Sequence, residues 1–345
     1  MNDYHYIGLD VHKKTVSYCI KQADGKIIEE NKLLSRRDVL RRWAQQQSKP
    51  WIGAMEATLF SGWIYDTLKP YAVRLEMGHP ARMKAIGASK KKSDKLDART
   101  VADLLRANLL PACYVAPPEL RELRRCLRYR ATVVRQSVRM KNKISGLLME
   151  AGAPYNKQRL HGGKYFHHLL ETLEEVPDSV KDLLRMSRSL LEMFESAQKR
   201  LVQGLLIHPR LAARVERLMT IPGVGQITAL TWALEIADPH RFGNGGDVIS
   251  YCGWTAALRC SADKQQRGPI SKQRNAWLQT TLIEAAKLTP RWNRQLHQLY
   301  QREAQRGHAN RATLEVARKL ALYLLAVDRS GQPFRIPQQA TSSAV

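Results

Sequence analysis

Two short apolar runs in the first sixth of the chain each end in a single carboxylate. Tyr6-Ile7-Gly8-Leu9 closes on Asp10, and Trp51-Ile52-Gly53-Ala54-Met55 closes on Glu56. An acid beside a core loses its hydration, so this placement is costly unless something compensates the charge. Asp94 and Asp97 follow in Ser93-Asp94-Lys95-Leu96-Asp97-Ala98-Arg99, and a spacing of three puts both on one face of a helix. Four converging acids would repel one another without a cation between them. Hard oxygen donors of this kind suit Mg²⁺ or Mn²⁺. Read separately, they are surface residues, with Asp94 and Asp97 favouring a helix N-terminus.

Convergence depends on topology. Alternating apolar patterns predict strands over 4–10, 15–21 and 27–32, with Asp24-Gly25 as a hairpin turn. Ser35-Arg36-Arg37-Asp38 reads as a capping box that opens a helix to about 47. A strand over 51–56, a helix over 61–69 and a strand over 72–77 come next. Helix then starts at Pro80, and a further one runs from Asp94 to about 109. The order βββαβαβα is that of an α/β RNase H-like fold, in which the first and fourth strands lie parallel and adjacent. Under that topology Asp10 and Glu56 meet, and the last helix brings Asp94 and Asp97 to their flank.

Charge gives the partner class. Among 345 residues, 56 Lys and Arg face 31 Asp and Glu, a formal net charge of +25. A chain this basic, with 44% hydrophobic residues to build a core, is most simply a nucleic-acid binder. Lys90, Lys91, Lys92 and Arg99 crowd the approach to the Asp94 helix and read as a phosphate-steering rim. From Pro118 a long helix is predicted. Its apolar seam is Leu120, Leu123, Leu127, Ala131, Val134 and Val138, and its basic stripe is Arg121, Arg124, Arg125 and Arg128. The stripe reads equally as a grip on a nucleic-acid backbone or as the hydrated face of a packing helix. Ile221-Pro222-Gly223-Val224-Gly225 has the form of a helix-hairpin-helix turn, in which Gly223 and Gly225 free backbone N–H groups for a phosphate. The five cysteines include no CxxC pair, so zinc and redox motifs find no support. Their wide spacing suits a reducing cytoplasm. No signal peptide and no apolar run of membrane-spanning length is evident.

These stretches, taken with Met55-Glu56-Ala57-Thr58, Gly253-Trp254-Thr255 and Gly268-Pro269-Ile270-Ser271-Lys272, resemble in order the DEDD-type transposases. These are the enzymes of bridge-RNA-guided insertion sequences of the insertion-sequence-110 class, related to the invertase of the pilin-gene inversion system. The resemblance implies a RuvC-like catalytic domain over 1–115 and a basic helix and coiled-coil spacer over 116–205. A mainly helical transposase domain over 206–332 and a loose tail over 333–345 complete the chain. It implies that Asp10, Glu56, Asp94 and Asp97 hold the metal. It also implies a serine nucleophile eight residues after Gly253, which is Ser261. Ser271 competes for that role, although it reads more simply as the N-cap of the helix that follows. Donor and target DNA, a guide RNA, a dimer or tetramer, and a bacterial cytoplasmic, nucleoid-associated setting follow from the same resemblance. The chain departs from the family pattern at Leu59-Phe60-Ser61, at Ala262 and at Gln273-Arg274. Two other readings stand beside it. One is a metal-dependent nuclease of Holliday-junction-resolvase type that uses water as nucleophile. The other is a catalytically silent nucleic-acid binder.

Overall fold

Strand alternation in the first hundred residues builds a mixed sheet. The computed structural model describes residues 4–86, 94–261, 264–270 and 272–335. Contacts divide the chain into two units, Met1–Pro118 and Glu119–Val345.

The first unit contains β1 (His5–Val11), β2 (Thr15–Lys21), β3 (Ile27–Leu34), α1 (Arg37–Gln45) and β4 (Trp51–Glu56). It continues with α2 (Ser61–Leu68), β5 (Arg74–Gly78), α3 (Pro80–Ile86) and α4 (Asp94–Arg106). The sheet order is β3-β2-β1-β4-β5. β1 and β4 are adjacent and parallel, as expected from the sequence, while β1–β2 and β2–β3 are antiparallel. The period of two sorts side chains between the faces. Ile7, Leu9, Val11, Trp51 and Met55 enter one core with Leu40 and Trp43 of α1 and with Ile64 and Leu68 of α2. Ile52 and Ala54 enter the other with Met83 of α3 and with Val101, Leu104 and Leu105 of α4. The capping box is not formed. Ser35 Oγ donates to the His12 carbonyl, and Asp38 is held by the Arg36 guanidinium, so α1 starts without a side-chain cap.

The second unit opens with α5 (Pro118–Glu150), α6 (Gly163–Thr172) and α7 (Asp178–Leu206). Then come α8 (Ala212–Met219), α9 (Gln226–Ile236), α10 (Gly245–Tyr251), β6 (Ala256–Ser261), β7 (Lys264–Ile270), α11 (Ala276–Leu288), α12 (Arg294–Gln305) and α13 (Ala309–Ser330). The apolar seam of α5 changes partners along its length. Leu120, Leu123 and Leu127 pack into the core around α9, α11 and α13, and Ile144, Leu147 and Leu148 pack with α6 and α7. Between them the buried face turns to Val133 and Ser137, leaving Val138 exposed. α9 is apolar on nearly all sides, which suits a helix enclosed by others. The antiparallel hairpin β6–β7 was not expected from the sequence.

Candidate functional site

Asp10 and Glu56 end neighbouring parallel strands. Gly8 pairs with Ala54 and Leu9 with Met55, so the next residues, Asp10 and Glu56, stand level at the carboxyl ends of β1 and β4. They follow Gly8 and Ala54 by two, which assigns both to the sheet face covered by α4. Asp10 is largely buried, and one of its oxygens lies 2.9 Å from His12 Nε2. The sequence contained that signal as Asp10-Val11-His12, but nothing in spacing alone marked His12 as a partner.

Four contacts fix where α4 lies. Gly8 lets the helix backbone sit directly on β1: a Cβ there would stand 2.1 Å from the Ala98 carbonyl oxygen and 2.4 Å from the Ala102 nitrogen. Lys21 donates to Asp103 at 2.6 Å, Arg99 forks onto Glu30 of β3, and Arg106 donates to the Ala23 carbonyl. These contacts also set direction. Asp103 is level with Lys21, which pairs with Tyr6, and Ala98 lies over Gly8. The chain of α4 therefore runs opposite to β1. Its first turn, with Asp94 and Asp97, falls toward the strand ends that carry Asp10 and Glu56. Asp97 is exposed. Among the described residues no three His, Cys, Asp or Glu side chains are grouped closely enough to hold a metal ion. Asp10 and Glu56 stand level at one sheet edge, and carboxylate oxygens are donors of the kind that hard cations take.

Of the four residues of the basic rim, Arg99 alone is among the described ones. Lys90, Lys91 and Lys92 lie outside the described residues. Arg99 does not reach for phosphate: its guanidinium is committed to Glu30 and fastens α4 to the sheet.

The stripe on α5 also divides. Arg124 Nε donates to the Leu234 carbonyl, and burial pulls its guanidinium below the usual arginine range. Arg128 forks onto both oxygens of Glu235 at 2.7 Å and lies over the Trp277 ring. Glu235 is 1% exposed and also accepts from Asn275 Nδ2. Two of the four arginines therefore serve the interior of the second unit. Arg125 is exposed and Arg121 partly so.

Ile221–Gly225 forms the turn between α8 and α9, as its glycines suggest. Gly223 has φ +87°, and a Cβ there would press on Thr289. Gly225 precedes α9 as its N-cap, with open space beside it. Ser261 is the last residue of β6 and pairs with Lys264 across the hairpin. The root of that hairpin is firm: Gly253 has φ +78°, Trp254 is fully buried, and Arg318 donates to the Trp254 carbonyl. Ser271 lies outside the described residues. The cap of α11 is Asn275, whose side chain accepts from the nitrogens of Trp277 and Leu278, so Ser271 does not have that role.

Known proteins place the chain. A model of the DEDD transposases of the IS110 group matches residues 7–152. A model of the "Transposase IS116/IS110/IS902 family" matches residues 215–301. A probable family 20 transposase of Pseudomonas aeruginosa is 28% identical over 298 residues, covering 83% of this chain and 84% of that protein. The transposase of insertion sequence element IS1111A from Coxiella burnetii is 24% identical over 300 residues, 83% of this chain and 78% of its own. The transposase of element IS1328 from Yersinia enterocolitica is 23% identical over 343 residues, 95% and 98% of the two chains. With the acidic strand ends inside one match and the glycine turn inside the other, the chain belongs to the IS110 family of insertion-sequence transposases.

Proposed function

We propose that the chain moves an insertion sequence by cutting and rejoining DNA, with an RuvC-like, RNase H-type acidic site in its first unit and Ser261 as nucleophile in its second. The observation that carries this reading is the register of β1 and β4. It sets Asp10 level with Glu56 and turns both toward the helix that begins with Asp94.

Asp10, Glu56, Asp94 and Asp97 would hold Mg²⁺ or Mn²⁺. Such an ion, when bound, draws off charge that develops on a scissile phosphate. His12 fixes one oxygen of Asp10 and so limits how that carboxylate turns. Lys21–Asp103 and Arg99–Glu30 hold the acidic turn of α4 at the strand ends. A serine hydroxyl is a weak nucleophile and needs activation, here by the acidic edge that receives the phosphate. The Ser261 oxygen bonds to phosphorus while the bond to the DNA 3′-oxygen breaks. The hydroxyl proton ends on that leaving oxygen, giving a 3′-hydroxyl and a 5′-phosphoserine. Reversal with a different 3′-hydroxyl reseals the strand, so no nucleotide cofactor is consumed.

The acids belong to one unit and Ser261 to the other. The reaction requires them to be brought together, within one chain or between copies in a dimer or tetramer. Donor and target DNA are the substrates, and the net charge of +25 supports that choice. The family resemblance supports a guide RNA as the source of target choice. The test is to trap covalent DNA–protein adducts with donor DNA and Mg²⁺. Ser261→Ala should abolish the adduct, and Asp10→Ala should abolish cleavage. Normal cleavage by Ser261→Ala would move the reaction to water as nucleophile. Strand transfer undiminished in Asp10→Ala would remove the acidic site from it.

A further inference from the structure

A cavity of about 690 Å³ opens on the second unit between the end of α11 and the start of α12. Its described lining has no carboxylate. It includes Lys287, Arg291, Trp292, Asn293, Arg294 and His297. Trp292 is 72% exposed, an unusual position for an indole that could bury most of its surface. Arg291 and Arg294 flank it and are exposed, and Lys287 is shared with Glu284 at 2.7 Å. Asn293 is almost fully buried. Its Oδ1 caps α12, while its Nδ2 has no acceptor among the described residues. A buried amide donor left unsatisfied is a liability that a bound acceptor would remove.

The cavity adjoins the turn already read as a phosphate contact. A Cβ on Gly223 would stand 2.9 Å from the Cα of Thr289, the first residue of the short 3-10 turn Thr289–Arg291 that leads into Trp292. The glycine turn therefore packs on the residue that opens the turn leading into the exposed indole.

We propose that Trp292 is a stacking platform for an unpaired stretch of DNA, with Arg291 and Arg294 holding the phosphates on either side. A free indole face can stack on a base only where that base has left its own stack. In a closed duplex both faces of each base are covered, so this site selects opened strands. Cations beside an aromatic ring match a chain that alternates phosphates and bases. The proposal rests on the reading of the chain as a DNA-acting enzyme, and it assigns that enzyme a place to hold the strand that strand exchange leaves unpaired.

The test is fluorescence anisotropy with the full-length protein in EDTA. The probes are a labelled single strand of about 15 nucleotides, its blunt duplex, and an RNA of the same sequence. Trp292→Ala should weaken the DNA single strand about ten-fold and leave the duplex unchanged, while Trp292→Phe, which keeps an aromatic face, should bind near wild type. Replacing both Arg291 and Arg294 with Ala should make the salt dependence of single-strand binding shallower by about 1.4 in log–log slope. Unchanged single-strand affinity in Trp292→Ala overturns the proposal. So does an equal loss on the duplex, which would make the surface merely charged, or a loss confined to RNA. Because EDTA removes the metal-dependent chemistry, a failure of the acidic site or of Ser261 leaves this result unmoved, and the two readings can fail separately.

Discussion

Replacing Gly8 with Ala tests the link between fold and chemistry in the first unit. The new methyl carbon would stand 2.1 Å from the Ala98 carbonyl oxygen and 2.4 Å from the Ala102 nitrogen. Both obstacles are helix backbone, so no side-chain rotation relieves the clash. Ordinary contact needs about 3.4 Å, so α4 must retreat by roughly 1 Å or rotate. Overpacking of this kind costs about 1–3 kcal/mol, and the high end applies because Ala98 and Ala102 are fully buried. The retreat also pulls on Lys21–Asp103 and Arg99–Glu30, which hold the helix to β2 and β3. An error of about 1 Å in placing reactive groups lowers turnover on the order of a hundred-fold. The expected result is a lower melting temperature together with a roughly hundred-fold loss of strand transfer, measured where the variant is still folded. Gly53→Ala is the control. Its methyl meets the Trp51 ring at 2.6 Å and a Leu75 methyl at 2.8 Å, on the sheet face away from α4. That variant should lose stability and keep most of its activity. If Gly8→Ala melts and reacts like the wild type, the claim that α4 is seated by that glycine is wrong.

Glu235→Ala should destabilise the second unit by about 3 kcal/mol in urea titration, because it leaves the buried end of Arg124 and the Arg128 fork without their carboxylate. The low end of the range for a broken buried pair applies, since the Arg128 side chain is 41% exposed and can turn to water; a loss under ~0.5 kcal/mol would show that the network is not holding α5 to α9. Thiol reactivity should follow burial. Burial pushes the Cys19 and Cys252 thiols up to about 12, while Cys126 is exposed. Thiolate is the reactive form, so a disulfide reagent at mildly alkaline pH should modify Cys126 in the folded protein and reach Cys19 and Cys252 only on unfolding. Peptide mapping that finds Cys252 modified as fast as Cys126 in folded protein would contradict the full burial of Cys252.

The first unit was legible because its signals are local. Alternation over seven or eight residues identifies a strand, and the turn at Asp24-Gly25 identifies a hairpin. A carboxylate closing an apolar run marks a strand end without any knowledge of its partner. The capping box failed because a local pattern met a non-local competitor: the Ser35 hydroxyl is taken by the His12 carbonyl, 23 residues away. The hairpin β6–β7 was hidden for the opposite reason. Lys264-Gln265-Gln266-Arg267-Gly268-Pro269 has no apolar alternation, and only pairing with Ala256–Ser261 makes it a strand.

Basic residues were the least legible, for a physical reason. A cation's role is decided by which anion reaches it first, and that anion is usually distant in the chain. Arg99 meets Glu30 at a separation of 69 residues, and Arg128 meets Glu235 at 107. A warning was present in α9, where Glu235 is the lone acid in Trp232-Ala233-Leu234-Glu235-Ile236. A carboxylate inside so apolar a helix must recruit a cation from elsewhere, and the nearest large supply is the arginine stripe of α5. The same reasoning sharpens the choice of nucleic-acid contacts. Arginines committed to buried acids cannot also neutralise phosphate, so a backbone grip belongs with cations that meet no such acid among the described residues, as at Arg291 and Arg294 beside the exposed indole of Trp292.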